Sequence, residues 1–324
     1  MSRGALEIDG CRVPRGCRRQ LQLKVSELYD ASPLCLPLCV VRGRRSGPTL
    51  FVTAALHGDE LVGVEIIRRL VERVDEATLR GTVLLVPIAN MFGILHRSRY
   101  LPDRRDLNRS FPGDPDGSAA SRVAHVIHRE IVQRADVGID LHSAAAYRTH
   151  APHIRAELAD RKLRELAEAF GSEYLVDAQP PRHSIRDAAS RVGVPVMVYE
   201  AGEVLRIEED CVRIGLRGCL QVMRHLDMIT PESTSLAAVP PADATRPRIL
   251  SKSLWVRSPC GGILESRVQL GQQVRRGETL LVSTNPLGSE QTSIGAPRDG
   301  VIIGLTTLPL VNPGDPLVHL AWHE

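Results

Sequence analysis

Short apolar runs alternate with stretches of helical periodicity between residues 49 and 226. Apolar runs bounded by glycine or polar residues predict buried strands, and apolar positions that recur with helical spacing predict amphipathic helices. We predict strands at 49–55, 82–90, 137–142, 173–176 and 194–200, and helices at 61–77, 119–134, 154–170 and 208–226. The alternation indicates an α/β fold with a mostly parallel or mixed central sheet flanked by helices.

The chain on either side of this region has a different character. Strands are also predicted between residues 18 and 41. Residues 230–248 are rich in proline and serine and predict a linker. Residues 249–324 contain short strands and glycine turns. We therefore predict a large α/β domain at 1–229, a linker at 230–248 and a small all-β domain at 249–324.

The predicted C-terminal domain contains an internal repeat. The segments 257–264 and 295–302 are related, and each is followed by a second glycine turn. The repeat predicts a small β-barrel or sandwich and resembles the biotinyl/lipoyl fold. The hairpin that carries a lysine in that fold corresponds to residues 283–288, which contain no lysine. We therefore expect a structural or pocket-covering role and no carrier role.

Composition and charge narrow the possible partners. Hydrophobic residues make up 43% of the chain and the formal net charge is +3, without a basic run interleaved with aromatic residues. Nucleic acid is therefore not expected as a partner. No stretch has the roughly 20 apolar residues that span a bilayer, and the N-terminus lacks an apolar signal segment, so we expect no membrane association and a cytoplasmic protein. Seven scattered cysteines without a C-x-x-C pair favour reduced thiols.

Two strands lead into side chains that suit a metal site. His57 and Glu60 follow the first apolar strand and precede a helix, and His142 ends a later strand. The carboxyl ends of parallel strands meet at one edge of a sheet, so we expect these three side chains to share a site. Two histidines and a carboxylate are a ligand set for catalytic zinc, which keeps a fourth position open for water. Asp140 lies on the same face as His142 and is a candidate for orienting the metal or its ligands.

Other polar residues are candidates for chemistry beside this metal. Glu200 ends an apolar strand and is a candidate general base, with Glu203 in the following loop as the competing carboxylate. Arg99 is a candidate for stabilising an oxyanion. Asn108 and Arg109 are candidates for holding a substrate carboxylate, because arginine offers a planar pair of donors and asparagine adds an amide donor. Arg99 alone also fits a surface role, and Asn108 and Arg109 alone also fit a helix-capping or loop-bracing role.

The order of the motifs is more specific than any one of them. The chain carries in sequence His57-Gly58-Asp59-Glu60, Arg99, Asp106-Leu107-Asn108-Arg109, Asp140-Leu141-His142 and Glu200-Ala201-Gly202. This order resembles the succinylglutamate desuccinylase/aspartoacylase family, which is itself similar to the zinc carboxypeptidases. The resemblance covers about residues 36–226, and the C-terminal β-domain looks like that of bacterial members.

The resemblance implies one zinc ion per chain and often a homo-oligomer. It implies that His57, Glu60 and His142 bind the zinc and that Arg99 polarises the carbonyl of the substrate. It further implies that Asn108 and Arg109 bind the substrate carboxylate and that Glu200 is the general base. The segment 102–105 contains extra residues relative to the family pattern. The neighbouring Arg97, Arg104 and Arg105 are therefore alternatives to Arg99.

These expectations favour a zinc-dependent amidohydrolase that cleaves the amide bond of a small N-acyl amino acid. The alternative within hydrolases is a zinc carboxypeptidase acting on peptides, and a β-domain that covers the site would favour the smaller substrate. The alternative from another class is a non-catalytic metal- or ligand-binding protein, which would have no use for the carboxylate of Glu200. The acyl group and the amino acid stay open, because they depend on loops predicted around 147–153 and 179–183.

Overall fold

The computed structural model describes residues 6–27, 30–230 and 246–324. The strands of this part of the chain are β1 (Leu6–Ile8), β2 (Cys11–Val13), β3 (Cys17–Glu27), β4 (Pro33–Arg42), β5 (Arg45–Ala54), β6 (Arg80–Val86), β7 (Val137–His142), β8 (Arg148–Ala156), β9 (Tyr174–Asp177), β10 (Val196–Glu203), β11 (Arg248–Leu250), β12 (Lys252–Arg257), β13 (Gly262–Ser266), β14 (Gln273–Val274), β15 (Thr279–Thr284), β16 (Gln291–Gly295), β17 (Gly300–Thr306), β18 (Leu310–Val311) and β19 (Pro316–Trp322).

The helices are interspersed among β5 to β11. They are α1 (Val62–Arg73), α2 (Met91–His96), α3 (Ala119–Glu130), α4 (Arg161–Phe170), α5 (Ile185–Ser190) and α6 (Glu209–His225), with short 3₁₀ helices at Leu107–Arg109 and Val132–Arg134. No helix in the described ranges has the length and apolar character needed to cross a bilayer.

A mixed sheet forms the centre of the molecule and confirms the predicted fold class. In the described residues it has 13 strands, ten of them in the order β12-β19-β17-β8-β10-β7-β5-β6-β4-β3. The inner strands β6, β5, β7 and β10 run parallel, whereas β4 and β8 pair with them antiparallel. The carboxyl ends of β5, β7 and β10 therefore lie side by side, which is where a parallel sheet holds its ligand.

Alternating residues of β5 divide the core between the two faces of this sheet. Leu50 and Val52 belong to a buried cluster with Ile66 of α1, and this cluster also contains residues of α4 and α6. Phe51 belongs to a second buried cluster, with Ile127 of α3. Strand side chains alternate between faces, so an unbroken apolar run is buried on both sides only when helices cover both. The two clusters explain why the central strands read as continuous apolar segments.

Asn90 fixes the segment that follows β6 to the strand end that precedes His57. Its side chain caps α2 by accepting a hydrogen bond from the main chain of Gly93 at 2.7 Å. Its amide nitrogen donates to the carbonyl oxygens of Leu56 at 3.4 Å and Arg99 at 3.3 Å. The side chain is fully buried. One asparagine therefore joins the backbone beside two of the predicted site residues.

The helix predicted at 154–170 is wrong at its start. Residues 148–156 form strand β8, and the helix α4 begins only at Arg161, where Asp160 accepts a hydrogen bond from the main chain of Leu163 at 2.9 Å. β8 is stabilised by pairing with β10 on one side and with β17 and β9 on the other. His150 and His153, predicted to lie in a loop, are on this strand.

The C-terminal strands fall into two groups. A four-stranded antiparallel sheet has the order β16-β15-β13-β18, whereas β12, β14, β17 and β19 belong to the large sheet. β17 pairs with β8 from Gly304 to Thr306, so the large sheet continues into the C-terminal region. Most of the predicted linker at 230–248 lies outside the described residues. The domain boundaries at 229 and 249 stay a prediction.

Candidate active site

Three buried side chains meet at the carboxyl ends of β5 and β7. The Nδ1 atom of His57 lies 2.6 Å from Oε1 of Glu60, and the Nδ1 atom of His142 lies 2.7 Å from Oε2 of the same carboxylate. Potential ligand atoms of the three residues all lie within 4.8 Å of one another. The short connection after β5 supplies His57 and Glu60, and the last residue of β7 supplies His142. The structure thus brings together the three residues predicted as metal ligands.

Each of the two imidazoles also contacts an aspartate through its Nε2 atom. Nε2 of His142 lies 2.7 Å from Asp140, and Nε2 of His57 lies 3.2 Å from Asp106. Thr53 donates a hydrogen bond of 2.7 Å to the remaining oxygen of Asp140, which is fully buried. Both rings therefore turn Nδ1 towards Glu60 while a carboxylate fixes Nε2, an arrangement that orients histidine ligands in metal sites.

The two histidines stabilise the negative charge of the buried Glu60. Burial alone would raise the pKa of Glu60, but the two histidines outweigh burial and lower the pKa to about 2. The main-chain nitrogen of Ser143 adds a hydrogen bond of 3.1 Å to the carboxylate. Glu60 is therefore ionised near neutral pH, which is the form in which a carboxylate binds a metal.

Arg99 is the arginine of its segment that reaches this cluster. Its guanidinium donates to Asp106 at 2.9 Å and lies 3.6 Å from Oε1 of Glu60. It lines the same cavity as the cluster, and the alternatives Arg97, Arg104 and Arg105 are not among the described residues that line it. Asp106 is thus shared between Arg99 and His57. The sequence motif contained this aspartate, but its contact with the imidazole depends on the fold.

Asn108 and Arg109 lie in a 3₁₀ turn at the cavity wall. The side-chain oxygen of Asn108 accepts a hydrogen bond of 2.9 Å from the main chain of Ile185 at the start of α5. Arg109 donates to the main-chain oxygen of Asn108 at 2.6 Å. The bond to Ile185 fixes the amide, so the amide nitrogen is the group left to donate to a ligand. Asn108 therefore braces a helix and also lines the cavity.

Glu200 lies on β10 beside the cluster, and its pairing partner on β7 is His142. Its carboxylate lies 3.3 Å from Nδ1 of His150 and 3.9 Å from Arg155. Burial alone would raise the pKa of Glu200, but the hydrogen bond from His150 and the charge of Arg155 lower it. The competing Glu203 is the last residue of β10, so its predicted place in the following loop is wrong. It accepts a hydrogen bond from Thr307 at 2.8 Å and does not line the cavity among the described residues.

The cavity has a volume of about 240 Å³ and a basic wall. Besides the residues that were assigned roles from the sequence, β8 and the C-terminal region supply lining side chains. The arginines of the wall are Arg99, Arg109, Arg148, Arg155 and Arg186, and strand β12 adds Trp255. The positive charge favours an anionic ligand. Arg148 and His150 fall in the segment 147–153, on which the choice of substrate is predicted to depend, whereas their place on a strand and the position of Arg155 in the wall depend on the fold.

A mixed α/β sheet that carries a potential metal cluster and a further carboxylate in one cavity has the features of metal-using hydrolases. Residues 46–226 match the model of the succinylglutamate desuccinylase/aspartoacylase catalytic domain. The N-α-acetyl-L-2,4-diaminobutyric acid deacetylase of Halomonas elongata is 30% identical over 315 residues, which cover 93% of this chain and 90% of that protein. The chain belongs to the succinylglutamate desuccinylase/aspartoacylase family.

Solved structures agree with this assignment over nearly the whole chain. The succinylglutamate desuccinylase/aspartoacylase from Rhodobacter sphaeroides is 28% identical, with a TM-score of 0.83 and coverage of 97% of this chain and 99% of that one. The product-bound ectoine utilization protein from Ruegeria pomeroyi is similar in fold, with a TM-score of 0.83 at 23% identity and coverage of 96% and 98%. The similarity includes the C-terminal strands as well as the region of the family model.

Proposed function

We propose that this protein is a zinc-dependent amidohydrolase that removes the acyl group from a small N-acyl amino acid. The observation that carries the proposal is the presence of His57, Glu60, His142 and Glu200 around one cavity. Three residues supply metal ligands, and the fourth is an ionised carboxylate outside that set. The names of the family and of the Halomonas elongata relative, which is a deacetylase, support the same reaction class.

The donor set fits zinc. Two imidazoles and one carboxylate, all buried and with potential ligand atoms within 4.8 Å of one another, are typical of catalytic zinc sites. Asp106 and Asp140 hold the outer nitrogens of the two imidazoles, so Nδ1 of His57 and Nδ1 of His142 are the nitrogens that would bind the ion. When bound, zinc supplies Lewis-acid catalysis and lowers the pKa of water.

The residues around the cluster have separate roles in the proposed reaction. Glu200 accepts the proton of the attacking water and then passes it to the nitrogen of the leaving amine. Arg99 donates to the carbonyl oxygen as negative charge develops there. Asn108 and Arg109 bind the carboxylate of the substrate, because an amide donor and a guanidinium lie together at the wall. The amide carbon is thereby held between the metal ligands and the general base.

The cavity favours a small substrate over a peptide. Its volume of about 240 Å³ is below the usual range of roughly 300–1,000 Å³ for drug-sized ligands. Trp255 from the C-terminal region lines the cavity together with residues of β8, as expected for a β-domain that covers the site. The basic wall further favours a substrate with more than one carboxylate, whereas the name of the Halomonas elongata relative indicates a cationic side chain in its substrate.

The proposal is tested by assaying hydrolysis of N-acetyl-L-aspartate, N-succinyl-L-glutamate and N-α-acetyl-L-2,4-diaminobutyrate. For the wild type we expect release of the amino acid from at least one of these compounds. For Glu200→Gln we expect a loss of about 10²- to 10⁴-fold in kcat, the usual contribution of a general base. Glu203→Gln is the matched control, since it changes a nearby carboxylate outside the cavity, and its rate should stay near that of the wild type.

Two results would contradict the proposed hydrolysis, and a third would contradict the proposed substrate class. One is a folded, zinc-loaded Glu200→Gln protein that keeps the full rate. The other is a wild type that binds zinc and the acyl amino acids but cleaves none of them, which would support a binding protein. Faster cleavage of C-terminal residues from short peptides than of acyl amino acids would favour a carboxypeptidase.

A further inference from the structure

A row of aligned residues crosses the sheet from Gly202, two residues after the candidate general base, to the C-terminal strands. Gly202 of β10 pairs with His150 of β8, and His150 pairs with Gly304 of β17. Gly304 pairs in turn with His319 of β19, and His319 pairs with Trp255 of β12. The row therefore spans five adjacent strands. The two glycines leave His150, His319 and Trp255 as its only side chains.

The three rings of the row lie against one another above Gly304. The ring centroids of Trp255 and His319 are 4.7 Å apart with nearly parallel planes, at 13°. The centroids of His319 and His150 are 5.9 Å apart, and those of His150 and Trp255 are 6.2 Å apart. Both histidines are buried. Stacked aromatic rings restrict one another, so the C-terminal strands limit the positions open to His150.

Gly304 leaves the space that the two histidine rings use. A Cβ atom built there would lie 2.8 Å from Cδ2 of His150 and 3.0 Å from Cβ of His319. The first distance is too short for carbon atoms in contact, so any side chain at this position must displace the imidazole of His150. The placement of His150 therefore depends on the absence of a side chain on β17.

His150 forms a hydrogen bond with the carboxylate of Glu200 through its Nδ1 atom. Nδ1 lies 3.3 Å from Oε2 of Glu200. An ionised carboxylate only accepts hydrogen bonds, so Nδ1 carries the hydrogen. Nε2 of the same ring is buried and has no hydrogen-bond partner within the described ranges of the chain. Arg155 lies 3.9 Å from the same carboxylate.

His319 is an uncharged ring that packs against its neighbours in this row. Burial, together with Arg155 and His150, lowers the pKa of His319 to about 2. Its Nδ1 atom is buried without a hydrogen-bond partner in the part of the chain that the structure describes. The ring therefore contributes packing against Trp255 and His150 and adds no positive charge near the general base.

We propose that His150 is a positioning residue for Glu200 and that the C-terminal strands hold His150 in place through Gly304, His319 and Trp255. This inference rests on the proposed function, in which Glu200 is the general base. Its consequence is that the C-terminal strands serve catalysis through the orientation of Glu200, in addition to covering the cavity. A change on β17 should then alter the chemical step without touching the metal ligands or the carboxylate-binding residues.

The test compares His150→Leu, His150→Asn and Gly304→Ala in the full-length, zinc-loaded protein. Leucine removes the donor, whereas asparagine places an amide nitrogen near the position of Nδ1. Gly295→Ala is the matched control for the glycine change, because a Cβ atom there has its nearest neighbour at an ordinary 3.5 Å. For each variant kcat and KM are measured with the three acyl amino acids named above, with zinc content and the thermal unfolding midpoint beside them.

We expect His150→Leu and Gly304→Ala to lower kcat by about tenfold or more while KM stays within about twofold, since small displacements of a catalytic group are costly. His150→Asn should recover most of kcat, and Gly295→Ala should equal the wild type. Normal kcat in folded His150→Leu overturns the inference. So does a change confined to KM, which would make His150 a substrate contact. If His150→Leu does not fold, the comparison of Gly304→Ala with Gly295→Ala decides, and equal kcat values overturn the inference.

Glu200→Gln, assayed in parallel, separates this inference from the proposed function. If Glu200→Gln is inactive while the His150 and Gly304 variants retain the wild-type kcat, only the positioning role fails. If Glu200→Gln is fully active, the proposed general base is wrong and the role of His150 fails with it.

Discussion

Replacing Asp140 by asparagine tests how strongly the buried carboxylate supports the proposed metal site. Asp140 is fully buried and accepts hydrogen bonds from Nε2 of His142 and from Thr53, both at 2.7 Å. Asparagine has the same shape. Its oxygen can still accept from His142, and its nitrogen can donate to the hydroxyl of Thr53. The substitution therefore removes mainly the negative charge that makes the imidazole a stronger ligand.

We expect Asp140→Asn to weaken zinc binding by about tenfold and Asp140→Ala by about 100-fold, the usual range for partners of metal-binding histidines. These changes correspond to about 1.4 and 2.8 kcal/mol in binding free energy. Asp140→Ala also leaves the Thr53 hydroxyl without its acceptor, which costs about 1–3 kcal/mol in the free energy of unfolding. Asp106→Asn should have a smaller effect, because its oxygen is 3.2 Å from His57 and its side chain is 15% exposed.

Zinc affinity is measured by competition with a chromophoric chelator at fixed pH, with circular dichroism to show that each variant is folded. Asp160→Asn is the control, because Asp160 caps α4 and lies outside the cavity among the described residues. The predicted order of affinities is wild type, Asp106→Asn, Asp140→Asn and Asp140→Ala. Unchanged affinity in Asp140→Ala would refute the role of this carboxylate.

Two further predictions concern stability. Gly58→Ala should lower the free energy of unfolding by about 3 kcal/mol, because its Cβ atom would lie 1.9 Å from the main-chain carbon of Gly93. Denaturant unfolding measures this change, and a loss below about 0.5 kcal/mol would contradict the prediction. Hydrogen bonds from Arg68 and Arg69 lower the pKa of Glu65 from 4.5 to about 2, so the stability from these ion pairs is complete above pH 4.5 and disappears as the pH falls to about 2. Metal-free Glu65→Gln should thus be less stable than metal-free wild type by about 1 kcal/mol at pH 7. A difference in the free energy of unfolding that stays undiminished as the pH falls to about 2 would count against these ion pairs.

Local patterns predicted the inner part of the fold and the residues of the candidate metal site. The central strands are buried on both faces, so each is an unbroken apolar run that sequence reveals directly. His57, His142 and Glu200 stand at or just after the ends of such runs, and parallel strands bring those ends together. The roles assigned to these residues stay a proposal, although the structure brings them to one cavity.

Contacts between distant strands set the parts that sequence patterns missed. β8 contains polar residues and Pro152, and it forms a strand because β10 pairs with it on one side and β17 and β9 pair with it on the other. His150 consequently gave no signal of its contact with Glu200. The continuation of the large sheet into β17 also has no local signature, because it joins residues about 150 positions apart, such as His150 and Gly304.

Zinc-dependent deacylation is tested most directly by removing the metal and restoring it. Zinc content is measured by mass spectrometry, and cleavage of the three acyl amino acids is measured before chelation, after chelation and after zinc is returned. We expect about one zinc per chain in the wild type, loss of cleavage on chelation and recovery with zinc, whereas folded His57→Ala should neither retain zinc nor recover. Undiminished cleavage by the zinc-free protein, or failure of the wild type to bind supplied zinc, would contradict the proposed function.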